Sequence, residues 1–426
     1  MSVLVEKMSV LAANLREERK ALSKAHEETK IGEVTAGQVL GGMRGIPALV
    51  CDTSSVNADE GLRIRNIPIL DLTTKLPEEI FWLLLTGEHP SAGEVEELRA
   101  EFARHADIPE YVFHVLKAMP ADSHAMTMFS TAVLVMGQES VFRKQYDEGV
   151  NKNDLWKPML EDSIILLGRI TGIAAAIYRM KFKDGVRIAP DPTLDWGANY
   201  AKMLGVSDDP KFIELIRMYL VLHSDHEGGN VSAMTGNTVA SALSDIYYSI
   251  SAALNGLAGP LHGLANQECL GFVMEIYEHF KGVPTDEQLK QFAWDRLNSG
   301  QVIPGYGHAV LRVEDPRFTA FYNFGKANID TGTDPIFGIV DALYNVIPGV
   351  LTEQGKAKNV KPNVDAASGS LLYHFGLKEY DFYTVMFGVS RAMGICAQVV
   401  LARAAGNGLI RPKGLTTMQL KKTLGV

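Results

Sequence analysis

The stretch DPKFIELIRMYLVLHSDHEGGN, residues 209–230, shows the pattern that decides the fold of this chain. Asp209 can cap a helix at its N-terminus, and Pro210 suits the first helical position, where no backbone N–H is needed. The apolar residues that follow recur at helical spacing: Phe212, Leu215, Ile216, Tyr219 and Leu220. Gly228 and Gly229 then end the pattern and permit close approach of the backbone to a ligand.

The same helical pattern occurs along most of the chain. Pro77 suits a first helical position and Gly87 a helix end, while Ser91 and Glu94 have the spacing of a capping box. Strand-like alternation is sparse, and only residues 46–64 suggest a short hairpin. We find neither an internal repeat nor a long linker. The sequence therefore predicts a mostly α fold.

The bulk composition is that of a globular protein large enough to hold more than one domain. The chain has 426 residues, of which 46% are hydrophobic and 21% charged. Its net charge of −9 gives no overall attraction to nucleic acid or to an anionic membrane, so we expect neither as a partner. The apolar stretches are interrupted, as Arg169 interrupts residues 164–177, and none reaches the roughly 18 residues of a membrane span.

The cysteines and the N-terminal residues bear on the cellular compartment. Cys51, Cys269 and Cys396 lie far apart and form neither a metal-binding pair nor a disulfide framework, which predicts a reducing compartment. Several glutamates near the N-terminus argue against an acidic-poor transit peptide. We expect a bacterial, cytoplasmic protein. The mitochondrial matrix is the alternative if a transit peptide has been removed.

Three clusters of glycine and proline interrupt the helical pattern, at residues 255–263, 302–307 and 361–369. Each contains or adjoins a His or an Asp, and loops on a rigid scaffold often carry catalytic side chains. The alternative is three ordinary helix connections with incidental polar residues. No cluster taken alone decides between these two interpretations.

The histidines also have structural alternatives. His223 and His226 are three residues apart and could share a helix face as metal ligands, but no third ligand occurs at a recognisable spacing. His262 follows a helix-breaking Gly259-Pro260 pair, so we expect it at a helix N-terminus. The partial positive charge there favours a neutral imidazole that donates a hydrogen bond. An ordinary capping histidine is the other interpretation.

The two later loops carry weaker local patterns. Gly305 and Gly307 would let backbone groups face a flat or phosphorylated ligand. The spacing is not that of a Walker loop, and one GxG is a weak indication of a dinucleotide site. Asp365 stands in a short connection before a helical run, where an N-cap is the simplest interpretation.

Taken together, the motifs of this chain resemble those of citrate synthases, most closely the eukaryotic-type branch. They occur in the family's order along the chain: GGMRG (41–45), DEGLRIR (59–65), HSDHEGGN (223–230), NGLAGPLHGLANQE (255–268), PGYGHAVLR-x-x-DPR (304–317), PNVDAASG (362–369), GVSRAMG (388–394) and RPKG (411–414). The long contiguous matches are highly specific. The resemblance implies an enzyme that condenses acetyl-CoA with oxaloacetate and hydrolyses citryl-CoA to citrate and CoA, at the entry of the tricarboxylic acid cycle.

The resemblance also implies roles for three catalytic residues. The reaction removes a weakly acidic methyl proton from a thioester, which requires a base and stabilisation of the enolate oxygen. By resemblance, Asp365 is the base and His262 is the neutral donor to the thioester oxygen. His308 polarises the ketone of oxaloacetate, and water then hydrolyses the citryl thioester.

Oxaloacetate is a dianion, and the fork of an Arg side chain suits carboxylates. The resemblance assigns its binding to four residues: His226, Arg317, Arg391 and Arg411. The segment around Arg391 is helical in pattern and apolar, so an unpaired Arg there is costly to bury. This cost independently favours a bound anion, although an internal Asp or Glu partner remains the alternative.

Coenzyme A is the second ligand that the resemblance implies, as a co-substrate, with no permanently bound cofactor and no metal. The residues expected around the adenine are Val302, Ile303, Gly305 and Tyr306. The residues expected at the phosphates are Arg44, Lys152 and Arg312. Two positions depart from the family pattern. Lys152 stands where Arg is common, which removes a bidentate contact, and Ala367 stands where His is usual, two residues from Asp365.

The resemblance implies a citrate synthase-like architecture of two helical domains and a homodimer. The expected large domain comprises residues 1–262 and 372–426, and the small domain, residues 263–371, closes over the substrates. Arg411 is expected to reach the site of the partner subunit.

Other activities are compatible with parts of this sequence pattern. The nearest alternative is a 2-methylcitrate synthase that uses propionyl-CoA, since one methylene is worth only about 1–3 kcal/mol of discrimination. A non-catalytic CoA-binding scaffold and a metal hydrolase built on His223 and His226 are the alternatives from other classes. An ATP-citrate lyase is unsuited to this length.

Overall fold

The fold of the chain was determined as a computed structural model that describes residues 2–308 and 310–426. The α-helices are α1 (Ser2–His26), α2 (Ala36–Leu40), α3 (Pro77–Thr86), α4 (Ala92–Arg104), α5 (Glu110–Ala118), α6 (Ala125–Val135), α7 (Val141–Asp147), α8 (Trp156–Phe182), α9 (Trp196–Leu204), α10 (Pro210–Leu222), α11 (Val231–Ser241), α12 (Ile246–Leu257), α13 (Ala265–Phe280), α14 (Asp286–Asn298), α15 (Pro316–Asn328), α16 (Pro335–Gln354), α17 (Asp365–His374), α18 (Tyr383–Ala404) and α19 (Thr417–Leu424). The predicted mostly α fold is confirmed.

The helix ends follow the local patterns of the sequence. The Asp209 side chain accepts a hydrogen bond from the Lys211 backbone N–H, and Pro210 is the first residue of α10. Ser91 forms a capping box with Glu94. Gly87 ends α3 in the left-handed conformation, with φ of 79°. These ends are predictable because capping depends on residues a few positions apart.

A small antiparallel sheet lies between α2 and α3. Its strands are β1 (Ser54–Asn57), β2 (Gly61–Ile64) and β3 (Ile67–Pro68), in the order β1-β2-β3, with Ser54 opposite Ile64. The hairpin predicted within residues 46–64 is therefore confirmed for residues 54–64. Residues 46–53 form no strand.

The core of the molecule surrounds α18, which packs against α8, α3, α11 and α12. Two helices of the described chain, α16 and the segment Tyr380–Ala404 that contains α18, are long and apolar enough to cross a membrane by length and composition alone. In the second, 89% of the apolar window is buried within the protein. Burial of this kind is typical of a core helix.

Helices α13 to α17 pack mainly on one another and form a second cluster. The division into a large domain and a small domain at residues 263–371 remains a prediction, and its boundary at residue 371 falls inside α17. Links to the rest of the fold run from α10 to both α15 and α17, and from α13 to α18. Some of the site residues belong to the cluster of α13 to α17, and the others belong to the rest of the fold.

Candidate active site

The bend after α10 carries the first group of site residues. His223 is buried, its Nδ1 lies 3.1 Å from the backbone oxygen of Tyr219, and its ring stacks on Tyr219 with centroids 4.2 Å apart. Burial, with the nearby Arg317 charge, lowers the pKa of His223 to about 3. Within residues 2–308 and 310–426, no group of three or more His, Cys, Asp or Glu is arranged to hold a metal. His223 is thus a packed core side chain.

His226 turns towards His308, and the two ring centroids are 6.0 Å apart. The Nε2 atom of His226 is shielded from solvent and has no hydrogen-bond partner within the described chain. Burial lowers the pKa of His226 well below its ordinary value, and the charges of Arg317 and Arg391 lower it further. A neutral ring with a free Nε2 is therefore available to a polar ligand.

His308 is held in one tautomer by its own loop. Its Nδ1 accepts hydrogen bonds from the backbone N–H groups of Val310 and Leu311, at 3.0 and 2.9 Å. The proton of the neutral ring must then be on Nε2. Burial and the charge of Arg317 lower the pKa of His308. The ring is thus a neutral donor through Nε2.

His262 is held in the opposite tautomer. Its Nε2 accepts from the backbone N–H of Ser232 at 3.2 Å and lies 2.9 Å from the Ser232 hydroxyl. A backbone N–H can only donate, so the ring proton is on Nδ1. Burial, with the charge of Arg391, lowers the pKa of His262 to about 4. A neutral Nδ1–H donor is the result.

The helix N-terminus that acts on His262 differs from the expected one. The helix that follows it, α13, begins at Ala265, and His262 lies in the preceding turn. Its ring instead meets Ser232, the second residue of α11. The lowered pKa agrees with the expected neutral imidazole, but the helix that the ring meets is distant in sequence and is set by tertiary packing.

Arg391 extends from α18 into the same region and is fully buried. Its Nε donates to the backbone oxygen of His223 at 3.1 Å, and its Nη1 donates to Asn230 Oδ1 at 3.3 Å. Burial lowers the pKa of Arg391 to about 10, against the opposing charge of Asp225. The Asp225 carboxylate is itself bonded to Thr53, Ser54 and Gln398. The guanidinium therefore has neutral partners, and its charge is available to an anion.

Arg317 is buried with an acid partner at the start of α15. Its Nε and Nη2 donate to the two carboxylate oxygens of Asp315, at 3.0 and 2.7 Å. Burial opposes ionisation of Asp315, yet Arg317 holds the pKa of that carboxyl at about 2. This bidentate pair fixes the guanidinium plane. The internal acid partner considered for Arg391 is therefore found on Arg317, whereas the Arg391 side chain donates to a backbone oxygen and to Asn230.

Asp365 is the first residue of α17, whereas Val364 occupies the N-cap position. The interpretation of Asp365 as an N-cap is therefore wrong. Burial raises the pKa of the carboxyl to about 6, although the positive charge of Arg317 opposes this rise. A carboxylate with a raised pKa is a stronger base than an exposed one.

The loop of His308 and the loop before Asp365 are paired. The Gly307 N–H donates to Lys361 O and the Asn363 N–H donates to Gly305 O, both at 2.9 Å. The Asn363 side chain also donates to Gly307 O at 2.9 Å. Gly305 has φ of +80°, and a Cβ there would lie 2.7 Å from Cys269 Sγ. Glycine is thus required for the two loops to meet at this distance.

The arrangement has three features needed for carbon–carbon bond formation beside a thioester. A buried carboxyl can take a proton, two neutral histidines can donate to oxygen atoms, and two buried guanidinium groups can hold a dianion. Arg317 and Arg391 both lower the pKa of His226, and each also acts on one of the other two histidines. The three predicted catalytic residues and three of the four predicted oxaloacetate residues are thus close together.

Comparison with known proteins accounts for this constellation. The family model described as "Citrate synthase, C-terminal domain" matches residues 42–413. The chain is 46% identical to citrate synthase 4, mitochondrial, of Arabidopsis thaliana over 423 residues, covering 97% of this chain and 89% of that protein. It is 46% identical to the mitochondrial citrate synthase of Saccharomyces cerevisiae over 429 residues, covering 98% and 89%.

This chain belongs to the citrate synthase family. Solved structures agree: the citrate synthase from Pyrobaculum aerophilum aligns with a TM-score of 0.81 and 26% identity, over 92% of this chain and 97% of that one. A citrate synthase from Thermoplasma acidophilum, in a ternary complex with carboxymethyl coenzyme A and oxaloacetate, aligns with a TM-score of 0.76. Its identity is 23%, over 88% of this chain and 95% of that one, so this second likeness supports the fold alone. The predicted family and its eukaryotic-type branch are confirmed.

Among the residues that the citrate synthase pattern assigns to CoA, those on the 302–312 segment lie close to the active loops. Val302 is exposed, Ile303 is buried, and Tyr306 forms an isolated bridge with Pro362. Arg312 donates from its backbone to Ala58 O at 2.7 Å and from Nη1 to the Val310 and Leu311 oxygens. Their contact with CoA remains a prediction.

The other assigned residues are exposed and lie outside this cluster. Arg44 is in a turn before β1, and Lys152 begins a short 3-10 helix that packs on α8 and α18. Arg411 follows Ile410, whose backbone N–H donates to Ser241 Oγ on α11. The structure describes no contact of Arg411 with the oxaloacetate residues.

Several side chains that position the site were not singled out from the sequence. Ser232 fixes the tautomer of His262, Asn230 holds Arg391, and Asp315 holds Arg317. The Phe387 ring centroid lies 4.8 Å from Cζ of Arg391, and the rings of Phe387 and His262 form a T-shaped contact. The Asp-Pro helix start before Arg317 could have indicated Asp315, whereas Ser232 and Phe387 depend on tertiary contacts.

Proposed function

We propose that this chain condenses acetyl-CoA with oxaloacetate and hydrolyses the resulting citryl-CoA to citrate and CoA. Membership of the citrate synthase family supports this reaction. The observation that carries the assignment is the opposite tautomers of His262 and His308, beside an Asp365 carboxyl whose pKa is raised to about 6. This chemistry requires two neutral donors and one base.

In the proposed mechanism, Asp365 takes a proton from the acetyl methyl group while the Nδ1–H of His262 donates to the thioester oxygen. The electron pair of the broken C–H bond moves into the enol. The Nε2–H of His308 donates to the ketone oxygen of oxaloacetate and makes its carbon electrophilic. The enol carbon attacks this carbon, and the former ketone oxygen takes the Nε2 proton of His308, which is replaced through solvent by the proton that Asp365 then releases. Water cleaves the citryl thioester: its hydroxyl stays on the new carboxyl group, and CoA leaves as a thiol with one of its protons.

The oxaloacetate carboxylates are assigned to Arg391, Arg317 and His226. The buried Arg391 guanidinium has only neutral hydrogen-bond partners among the described residues, which supports an anionic ligand. Arg317 is oriented by Asp315, so its remaining donor faces a fixed direction. For CoA, we assign the adenine to the 302–306 segment and the phosphates to Arg44, Lys152 and Arg312.

A homodimer with Arg411 contributed across the interface is part of this proposal. Arg411 is exposed, and neither α2 nor α19 contains a buried residue. Large apolar side chains are exposed on both terminal segments, as in Ile31, Leu40 and Met418. Such segments are stabilised when they pack on a second subunit. We also propose that residues 263–371 close over the substrates as the small domain.

The names of the relatives provide information on the cellular location and on the acyl donor. They are named as mitochondrial citrate synthases, which supports the mitochondrial matrix and gives no support to the expected bacterial cytoplasm. The 2-methylcitrate alternative is not favoured by these names. The test measures release of free thiol from acetyl-CoA and from propionyl-CoA, each with and without oxaloacetate. The assay is repeated after exhaustive removal of metal ions by a chelator.

We expect thiol release from acetyl-CoA only with oxaloacetate, and we expect it to survive chelation. Equal or greater efficiency with propionyl-CoA would show a methylcitrate synthase. Absence of turnover with both donors would contradict an enzymatic function, and loss of turnover on chelation would contradict the metal-free mechanism.

A further inference from the structure

Four buried polar atoms beside Asp365 make no hydrogen bond of full geometry within the described chain, although the Tyr219 hydroxyl and the Asn266 amide lie close enough to interact with each other. They are the hydroxyl of Tyr219 on α10, Nδ2 and Oδ1 of Asn266 on α13, and Oγ of Ser368 on α17. A buried polar atom that lacks a full hydrogen bond destabilises the fold, so such atoms in native proteins usually bind water or a ligand. The clustering of four in one place therefore calls for a polar occupant.

These atoms lie on the face of α17 that carries the base. Ser368 and Gly369 follow Asp365 by three and four positions, which places all three on one side of the helix. A Cβ on Gly369 would lie 2.4 Å from Asn266 Oδ1, so Asn266 covers this face one turn beyond Asp365. Residue 367, an alanine that is fully buried, adds no polar atom.

Tyr219 approaches from the opposite helix. Burial raises the pKa of its hydroxyl above the ordinary range and the Asp365 charge raises it further, whereas a weak hydrogen-bonding interaction with the Asn266 side chain opposes the rise. The hydroxyl is therefore close to both residues. Its ring is fixed by stacking on His223, with centroids 4.2 Å apart. A fixed, buried donor next to a catalytic carboxyl is suited to orient it.

We propose that Tyr219, Asn266 and Ser368 are positioning residues that hold ordered water on this face of α17 and, through it, donate hydrogen bonds to the Asp365 carboxylate. The inference rests on the proposed function, in which Asp365 is the base. Donation to the charged form favours ionisation. The network thus counteracts burial and keeps the base ionised at neutral pH.

The other groups that act on Asp365 are known from the structure. Arg317 on α15 lowers the pKa of Asp365, and Asp315 beside it raises that pKa. Cys269 on α13 is buried, and the Asp365 charge raises the pKa of its thiol. None of these groups is altered by removal of the Tyr219 hydroxyl. A change in the titration of Asp365 in such a variant is therefore attributable to the network.

The test is the pH profile of kcat/KM for the full-length enzyme with acetyl-CoA and oxaloacetate. Tyr219→Phe removes one hydroxyl and keeps the ring. Tyr247→Phe is the matched control, since Tyr247 on α12 is equally buried, its hydroxyl is also unpaired, and its charged neighbours include Asp162 but not Asp365. We expect the acid limb of Tyr219→Phe to move to higher pH by about half a unit or more. Tyr247→Phe should follow the unmodified enzyme.

Ser368→Ala and Asn266→Leu extend the test to the other members of the network. Each should shift the acid limb in the same direction. Tyr219→Phe combined with Ser368→Ala should shift it by less than the sum, because both act through the same water. Thermal melting of each variant establishes that it is folded.

Acid limbs that superimpose for the unmodified enzyme, Tyr219→Phe and Ser368→Ala would overturn the inference while leaving the proposed function intact. An unmodified protein that releases no thiol would instead contradict the proposed function. The two failures are thus distinguished by the activity of the unmodified enzyme.

Discussion

The Nε2 atom of His262 lies 3.2 Å from the backbone nitrogen of Ser232, at the N-terminus of α11. This contact assigns the ring proton to Nδ1, because the backbone N–H is itself the donor. It also places the partial positive charge of the helix end against the ring, which disfavours the imidazolium. The contact therefore prepares His262 to donate while uncharged.

His262 should remain neutral across the working pH range of the enzyme. Since its pKa is lowered to about 4, nitrogen NMR of labelled protein should show an Nδ1-protonated neutral ring from pH 6 to pH 8. His26, an exposed histidine on α1, serves as the reference resonance. Protonation of His262 with a midpoint above pH 6 would contradict this assignment.

Asp365→Asn tests the base. Turnover should fall by on the order of 100-fold or more, whereas oxaloacetate binding should be nearly unchanged, because the amide keeps the shape but accepts no proton. Single-turnover kinetics and calorimetric titration with oxaloacetate measure the two quantities. Near-normal turnover would rule out Asp365 as the base.

The same substitution should stabilise the fold in a pH-dependent way. The folded pKa of Asp365 is about 6 and its ordinary value is 3.8, so the folded protein binds this proton more tightly than the unfolded chain. The ionised carboxyl therefore destabilises the fold progressively from about pH 4 to pH 6, and by a constant amount above. Denaturant unfolding should show Asp365→Asn to be more stable by on the order of 2 kcal/mol at pH 8 and nearly unchanged below pH 4.

Arg391→Ala should chiefly weaken oxaloacetate binding. Loss of charge-assisted hydrogen bonds worth about 1.5–3 kcal/mol corresponds to a rise in KM of about 10- to 100-fold. Arg403→Ala is the control: Arg403 lies on the same helix, is 7% exposed, and burial also lowers its pKa. A similar rise in KM for both variants would show a general disturbance of α18 and contradict the specific role of Arg391.

Two variants, Gly305→Ala and Gly300→Ala, should separate the effect of backbone strain from that of a steric clash between the paired loops. Gly300 and Gly305 have φ of +83° and +80°, but only Gly305 faces close neighbours, with Ala366 Cα at 3.0 Å from the added Cβ. Both variants should lose about 1 kcal/mol of stability from strain. Gly305→Ala alone should also lower kcat by about 10-fold or more, because the start of α17 is displaced. Equal activity of the two variants would contradict this.

Subunit exchange between Asp365→Ala and Arg411→Ala tests the proposed dimer. If Arg411 acts in the partner's site, each mixed dimer has one site with both native residues and one with neither. Random pairing makes half of the dimers mixed, so about a quarter of native activity should return. No return of activity would show that Arg411 acts within its own subunit, and an active Arg411→Ala variant would remove it from the site.

Local patterns in the sequence predicted the ends of α3, α4 and α10 and a hairpin within residues 46–64, of which residues 54–64 form it, because these features depend on neighbouring residues. The fold class and family were likewise correct, since the motif matches span most of the chain. The sequence did not reveal that the N-terminus of α11 contacts His262, nor that Arg391 is bonded to Asn230 and a backbone oxygen. These contacts join segments distant along the chain, and the packing of α11 on both α12 and α18 brings them together.

The pairing of the Gly305–Gly307 segment with residues 361–363 connects the loops that carry His308 and Asp365, the proposed ketone-polarising histidine and the proposed base, through short backbone hydrogen bonds. Because hydrogen bonds connect the two loops, we expect a displacement of His308 to displace Asp365 as well. With these proposed roles, we expect a substitution in the paired loops to affect both proton abstraction and attack on the ketone.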